Sequence, residues 1–266
     1  MKYRLTFEFE NPVSLPVQYN KILQASLLNW LGNKDYADFL HNQGYKRNKR
    51  TFKHYTFSNI FGKNKYDSKN HKIVFYNQIQ IYISFYNDES HKFILDNIAN
   101  RRPLILGKSI LEFVNCEIAA EEYKKCIVDT LSPVTIHSTY ELADGRKKTY
   151  YYSPKEKDFS EMIRQNLIRK YVSIYEEKPK DSSFEIRPEN YKMMKETTVY
   201  YNRFVIKGWN GSFVMTGSEE MIKMALLSGI GARNGIGFGC IAQKKCCKSG
   251  QSQMPINKGA ARNFKE

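Results

Sequence analysis

Between Phe39 and Tyr66 the sequence holds no acidic residue, whereas Lys46, Arg47, Lys49, Arg50, Lys53, Lys63 and Lys65 are all basic. They are interleaved with His41, Tyr45, Phe52, His54 and Tyr55. Cations hold phosphates by charge and aromatic rings stack on bases, so the chemistry open to this segment is that of a nucleic-acid surface. A solvated loop can carry the same run. The balance of 42 Lys and Arg against 27 Asp and Glu, a net charge of +15 over 266 residues, tips the reading toward a polyanionic partner.

The second chemical feature is the run Gly229-Ile-Gly-Ala-Arg-Asn-Gly-Ile-Gly-Phe-Gly239. Glycines this dense let backbone approach a partner closely and turn amide N–H groups outward, which suits a phosphate chain, and Arg233 adds a fixed positive charge. Gly229, Gly231, Arg233, Asn234, Gly237 and Gly239 are therefore expected to contact nucleic acid, together with Lys46, Arg47, Lys49 and Arg50. A dinucleotide loop must follow a strand and open a helix, and here the order is reversed. No Gly-Lys-Ser/Thr follows, so it is not a P-loop either. A plain helix-to-strand turn needs one or two glycines and does not explain five.

The elements that position these groups come in two similar sets. Residues 2–9 alternate as a strand, and Ile22, Leu23, Leu27, Trp30 and Leu31 mark one side of a helix. A short helix ends near Leu40, residues 51–61 and 73–86 read as strands, residues 89–100 as a helix with Phe93, Ile94 and Ile98 inward, and residues 104–119 as a strand. Residues 126–131 begin a second set: a helix over 158–175 with Phe159, Ile163, Leu167, Tyr171 and Ile174 inward, strands at 183–187 and 197–215, a helix after the N-cap Ser218, and a strand from Ile236. Asp144-Gly145 between strand-like runs predicts an inserted hairpin. The fold class is α+β, with two tandem ferredoxin-like βαββαβ domains over residues 1–121 and 122–247. Residues 248–266 are polar, lack an apolar pattern and read as a flexible tail.

Cys116, Cys126, Cys240, Cys246 and Cys247 lack paired CxxC spacing and read as free thiols, and no acidic residues cluster with histidines at metal-ligand spacing. No apolar run approaches the roughly 20 residues a membrane span needs. Met1 leads into the alternating Lys2 to Phe7 without a secretory-type segment, so a cytoplasmic protein with no membrane partner, no metal and no cofactor is expected.

The glycine run, placed between a helix and the last strand, resembles the C-terminal signature of the CRISPR repeat-processing endoribonucleases, the Cas-six family of the RAMP superfamily. Thr130-Leu-Ser-Pro133 resembles that family's central Leu-Ser-Pro strand end. Leu40-His41 followed by Phe52-Lys-His-Tyr-Thr-Phe-Ser58 resembles its N-terminal catalytic segment, and the resemblance spans residues 1 to about 245. It implies cleavage of precursor crRNA without metal: the 2′-OH attacks the adjacent phosphate and leaves a 2′,3′-cyclic phosphate and a 5′-OH.

On that resemblance His41 and Lys53 are the catalytic residues. A free imidazole titrates at about 6.5 and suits either proton role, and the lysine supplies charge. Strand alternation puts Lys53 and Tyr55 on one face and His54 on the other. Many members carry a tyrosine on the first helix where this chain has Leu28; Lys21 and Gln24 share that helical face. The partner implied is CRISPR repeat RNA, with subunits of an effector complex as further partners, and monomer and homodimer are both open. The alternative is a RAMP superfamily protein that holds guide RNA in an effector complex without cutting.

Overall fold

Strand β1 (Lys2–Glu8) is buried along nearly its whole length, because Tyr3, Leu5 and Phe7 face one core while Lys2 and Thr6 are covered from the other side. Its neighbours follow in the computed structural model, which describes residues 1–47, 50–87, 89–202 and 204–244. The first half continues with β2 (Val13–Pro16), α1 (Asn20–Trp30), α2 (Lys34–Asp38), a π-helical turn at Phe39–Gln43, β3 (Tyr45–Arg47), β4 (Arg50–Phe52), β5 (Tyr55–Phe57), β6 (Phe61–Asp67), β7 (Lys72–Phe85), α3 (Glu89–Ala99), β8 (Leu104–Leu106) and β9 (Ser109–Ile118). The sheet runs β2-β7-β1-β9-β8, and β5 and β6 also pair with β7. Taking β1, β5, β7 and β9 with α1 and α3, the strand order is that of a βαββαβ ferredoxin-like unit.

The second half holds β10 (Cys126–Thr130), the hairpin β11 (His137–Glu141) and β12 (Lys147–Tyr151), α4 (Lys157–Tyr175), β13 (Phe184–Pro188), the hairpin β14 (Lys195–Tyr201) and β15 (Phe204–Asn210), β16 (Ser212–Gly217), α5 (Glu219–Ser228) and β17 (Ile241–Gln243). Its sheet order β13-β16-β10-β17 repeats the first half's connectivity. The inserted hairpin turns at Asp144-Gly145 with Gly145 at φ +79°, as the dipeptide predicts.

Three strands expected as single runs are broken. Residues 51–61 contribute to β4, β5 and the start of β6, because His54 takes φ +43° and interrupts the extended backbone. Residues 104–119 fold back at Gly107 into β8 and β9, and residues 197–215 turn at Asn202 and again at Gly211 to give β14, β15 and β16. The last strand begins at Ile241 rather than Ile236, since the glycine run continues as an irregular loop to Gly239. The tail at 248–266, with Cys246, Cys247 and the candidate Lys49, lies outside the described residues. Among those residues no helix is long and apolar enough to cross a membrane.

Each half has its own apolar core, one around Leu5, Phe7, Leu27 and Ile81 and the other around Val128, Ile163, Leu167 and Phe213. Helix α5 joins them. Met221, Ile222, Met224, Ala225, Leu226 and Leu227 are buried all round it, as a helix enclosed by protein must be. It packs on β16 of its own half and on β5 and β7 of the other. Its terminal carbonyls, which have no intrahelical partner, are met from both sides. Ser84 Oγ donates to the Leu227 carbonyl at 2.7 Å, and Lys170 Nζ donates to the Gly229 carbonyl at 2.6 Å and to Asn234 Oδ1 at 2.7 Å.

Candidate active site at the seam between the halves

The π-helical turn after α2 presents His41 to solvent, with its Nδ1 2.8 Å from Asn42 Oδ1. Lys53, in the link between β4 and β5, donates from Nζ to the His41 carbonyl oxygen at 2.8 Å. Lys53 lies twelve positions beyond His41, and the β3–β4 pairing between them returns the ammonium to the imidazole's own backbone. Partial burial holds the Lys53 ammonium below the usual lysine range, against an opposing pull from Asp38. Lys53 and Tyr55 do share a face: the Lys53 side chain lies against Gly235, and the Tyr55 hydroxyl donates to the Gly235 carbonyl at 2.9 Å. His54 points the other way, into α4, where Nε2 lies 2.8 Å from Ser173 Oγ. Burial, with a smaller effect of Lys170, pushes its pKa down to about 3, which keeps it neutral.

Leu28 is part of the first core. Of the two neighbours on its helical face, Lys21 is exposed, whereas Gln24 is buried and organises the seam. Gln24 Nε2 donates to the Gly235 carbonyl at 2.7 Å and to the Tyr55 hydroxyl at 3.2 Å, and its Oε1 accepts from the Tyr201 hydroxyl at 2.9 Å. A side chain from β14 of the second half therefore reaches α1 of the first.

The glycine loop has a different role from the one its composition suggests. Gly229, Gly231, Gly237 and Gly239 are buried and take positive φ. A Cβ on Gly239 would lie 2.0 Å from the Ile230 carbonyl oxygen, one on Gly231 2.3 Å from that of Thr135, and one on Gly237 2.6 Å from the Phe57 ring. The close approach is to protein backbone and core, and RNA is not needed to explain these glycines. The amides of Ile230, Ala232, Gly237 and Gly239 donate to the carbonyls of Gly239, Thr135, Asn234 and Pro133 at 2.7–3.0 Å, so they turn inward.

Asn234 is committed as well. Its Nδ2 donates to the Ile230 and Phe238 carbonyls, and its Oδ1 accepts from Lys170. The loop is stitched to the Leu131-Ser132-Pro133 segment: Cys240 donates its amide to Ser132 Oγ at 3.0 Å and its carbonyl accepts from the amides of Leu131 and Ser132. The two sequence motifs are one structure. Arg233 is half-buried, with its guanidinium 5.8 Å from the Phe204 ring. Lys46, Arg47 and Arg50 are exposed on the β3–β4 hairpin.

The second half matches the family described as CRISPR associated protein Cas6, C-terminal, over residues 115–243. CRISPR-associated endoribonuclease Cas6 1 of Methanocaldococcus jannaschii is 26% identical over 248 residues, which cover 91% of this chain and 92% of the relative. Among solved structures, a Cas6-related protein of Pyrococcus furiosus superposes with a TM-score of 0.76 at 22% identity, covering 92% of this chain and 98% of the other. A structure described as an RAMP protein binding different RNA substrates reaches a TM-score of 0.74 at 22% identity, over 92% and 100% of the two chains. Residues 115–243 carry a Cas6 C-terminal domain, and the relative matched over nine-tenths of the chain is a Cas6 endoribonuclease.

The seam also gathers residues that pattern and spacing did not single out. The His137 ring on β11 lies tilted against that of Tyr151, with centroids 5.5 Å apart, and the Tyr151 hydroxyl donates to the Val205 carbonyl at 2.9 Å. Burial, then Arg233 and Arg50, push the His137 pKa down to about 4. Arg169 on α4 is held below the usual arginine range by burial and by Arg50. These residues lie on four separate segments, and no local periodicity marks them.

Proposed function

We propose that this chain is a Cas6 endoribonuclease that binds CRISPR repeat RNA and cuts precursor crRNA by attack of the substrate's own 2′-OH. The observation that carries the reading is the Lys53 ammonium bonded to the His41 backbone, which puts a proton-transfer group and a positive charge at one exposed place beside a cationic seam. The relative from Methanocaldococcus jannaschii, named as an endoribonuclease, supports the reaction class.

In this reaction the 2′ oxygen bonds to phosphorus, the bond from phosphorus to the 5′ oxygen breaks, and one proton leaves the 2′-OH as another reaches the departing oxygen. The products are a 2′,3′-cyclic phosphate and a 5′-OH, so atoms balance with no water or metal consumed. His41 carries one of the two proton transfers, and Lys53 stabilises the charge gathering on the phosphorane oxygens. The glycine loop acts earlier, by joining the halves so that Gly235 backs Lys53 and Arg233 faces the RNA.

Incubation with repeat RNA in EDTA tests this directly: cleavage should proceed, and should stop when the 2′-OH beside the scissile phosphate is replaced by hydrogen. A 3′-OH with a 5′-phosphate would mean a different reaction. Tight binding without any cut would make the chain a guide-RNA holder.

A further inference from the structure

Three arginines converge at the seam. Arg50 lies on β4, whose partner strand β3 packs against α4, the helix that carries Arg169. Arg233 is brought beside β11 because the Ala232 amide donates to the Thr135 carbonyl at 2.7 Å, two residues before His137. Among the described residues none of the three arginines forms an ion pair. Arg233 Nε and His137 Nδ1 are buried and have no hydrogen-bond partner among them.

Like charges assembled at this cost, with buried donors left unmade, are the arrangement expected where an anion completes the site. Phe204, 60% exposed, offers the face not covered by Arg233. An aromatic ring beside guanidinium groups favours a nucleotide over an acidic peptide, which has no base to stack.

We infer that Arg50, Arg169, Arg233 and His137 form a binding site for one phosphodiester of single-stranded RNA, with the adjoining base stacked on Phe204. The inference rests on the RNA-binding reading above and adds to it a separate anion site. Arg233 and Gly235 belong to one turn, and two residues span at most about 7 Å, so the site lies immediately beside the Lys53 contact.

His137 makes the site proton-dependent. Burial, and then Arg233 and Arg50, keep it neutral in the free protein, and a bound phosphate offsets the arginines' share and favours its protonated, doubly donating form. The groups facing it are Arg233 from the loop, Arg50 from β4 and Tyr151 from β12.

The test is fluorescence anisotropy with a short oligouridylate and its abasic counterpart, across salt concentration and from about pH 7.5 to about 5.5. R169Q and R233Q should each weaken binding and lower the salt slope of log K by about 0.7, while R169K and R233K keep the slope and show that the fold survives. F204L should weaken the oligouridylate about tenfold and leave the abasic oligomer unchanged. Binding by the wild type should tighten as pH falls; H137Q should lose that dependence and H41A keep it. If the wild type binds and both glutamine variants match it in affinity and slope, the site is wrong although the RNA reading stands. Persistence of the pH dependence in H137Q would overturn the role of His137. A wild type that binds no RNA even at low salt would remove the RNA reading and this site with it.

Discussion

Replacing Lys170 by Met should erase a pH dependence of stability that is unusual in sign for a lysine. The ammonium is fully enclosed and donates to the Gly229 carbonyl at 2.6 Å, to Asn234 Oδ1 at 2.7 Å and to Ser228 O and Oγ at 3.3 Å. Burial pushes its pKa from 10.5 down to about 7. The folded state therefore releases the proton at lower pH than the unfolded chain does. Below pH 7 the cost of the buried charge is present in full, and it is relieved as pH rises from about 7 toward 10.5.

With those two values, linkage gives a gain of about 2 kcal/mol between pH 7 and pH 9. Urea unfolding of wild type and K170M at several pH values, followed by the fluorescence of Trp30 and Trp209, measures it. Cys116, Cys126 and Cys240, whose partly or wholly buried thiols titrate in the opposite sense, are common to both proteins and cancel in the difference. The stability of the wild type relative to K170M should climb by that amount. A difference that stays constant across this range would show that Lys170 keeps its proton, and the assignment of burial as the dominant effect would fail.

H41A should lower the single-turnover rate by about 100-fold or more with repeat affinity nearly unchanged, the scale of a lost proton transfer, and a rate within a few fold of wild type would place the chemistry elsewhere. K53A should reduce the rate less and binding somewhat more, read by the same rapid-mixing and anisotropy measurements. G239A should destabilise the protein by about 2 kcal/mol or more in urea unfolding, because φ is +70° and the new Cβ meets the Ile230 carbonyl at 2.0 Å. Unchanged stability with weakened RNA binding would return that glycine to the RNA surface.

Elements with a strong local period were legible. Ile79, Ile81, Ile83 and Phe85 alternate and are all buried, the α4 stripe faces its sheet, and Ser218 accepts from the Met221 amide as an N-cap. The reversals at Asn202 and Gly211 were not, since Asn202 and Asn210-Gly211 interrupt an apolar alternation that runs on through them. Residues 40–41 and 52–58 were recognisable only as a motif, and the 2.8 Å contact between Lys53 and His41 depends on a hairpin closing between them.

The sequence by itself determined two βαββαβ patterns, a large positive charge and the places where unusual backbone occurs, because these depend on residue type and short-range spacing. Only the tertiary structure decided what the glycines touch. Ser84 and Tyr86 fall on the strand face that alternation assigns to solvent, and they are buried because α5 arrives there from more than a hundred residues away. The inward turn of the loop amides, the enclosure of Lys170 and the meeting of Arg50, Arg169, Arg233 and His137 have the same origin. Each results from segments far apart in the chain packing on one another, a long-range constraint to which local spacing is blind.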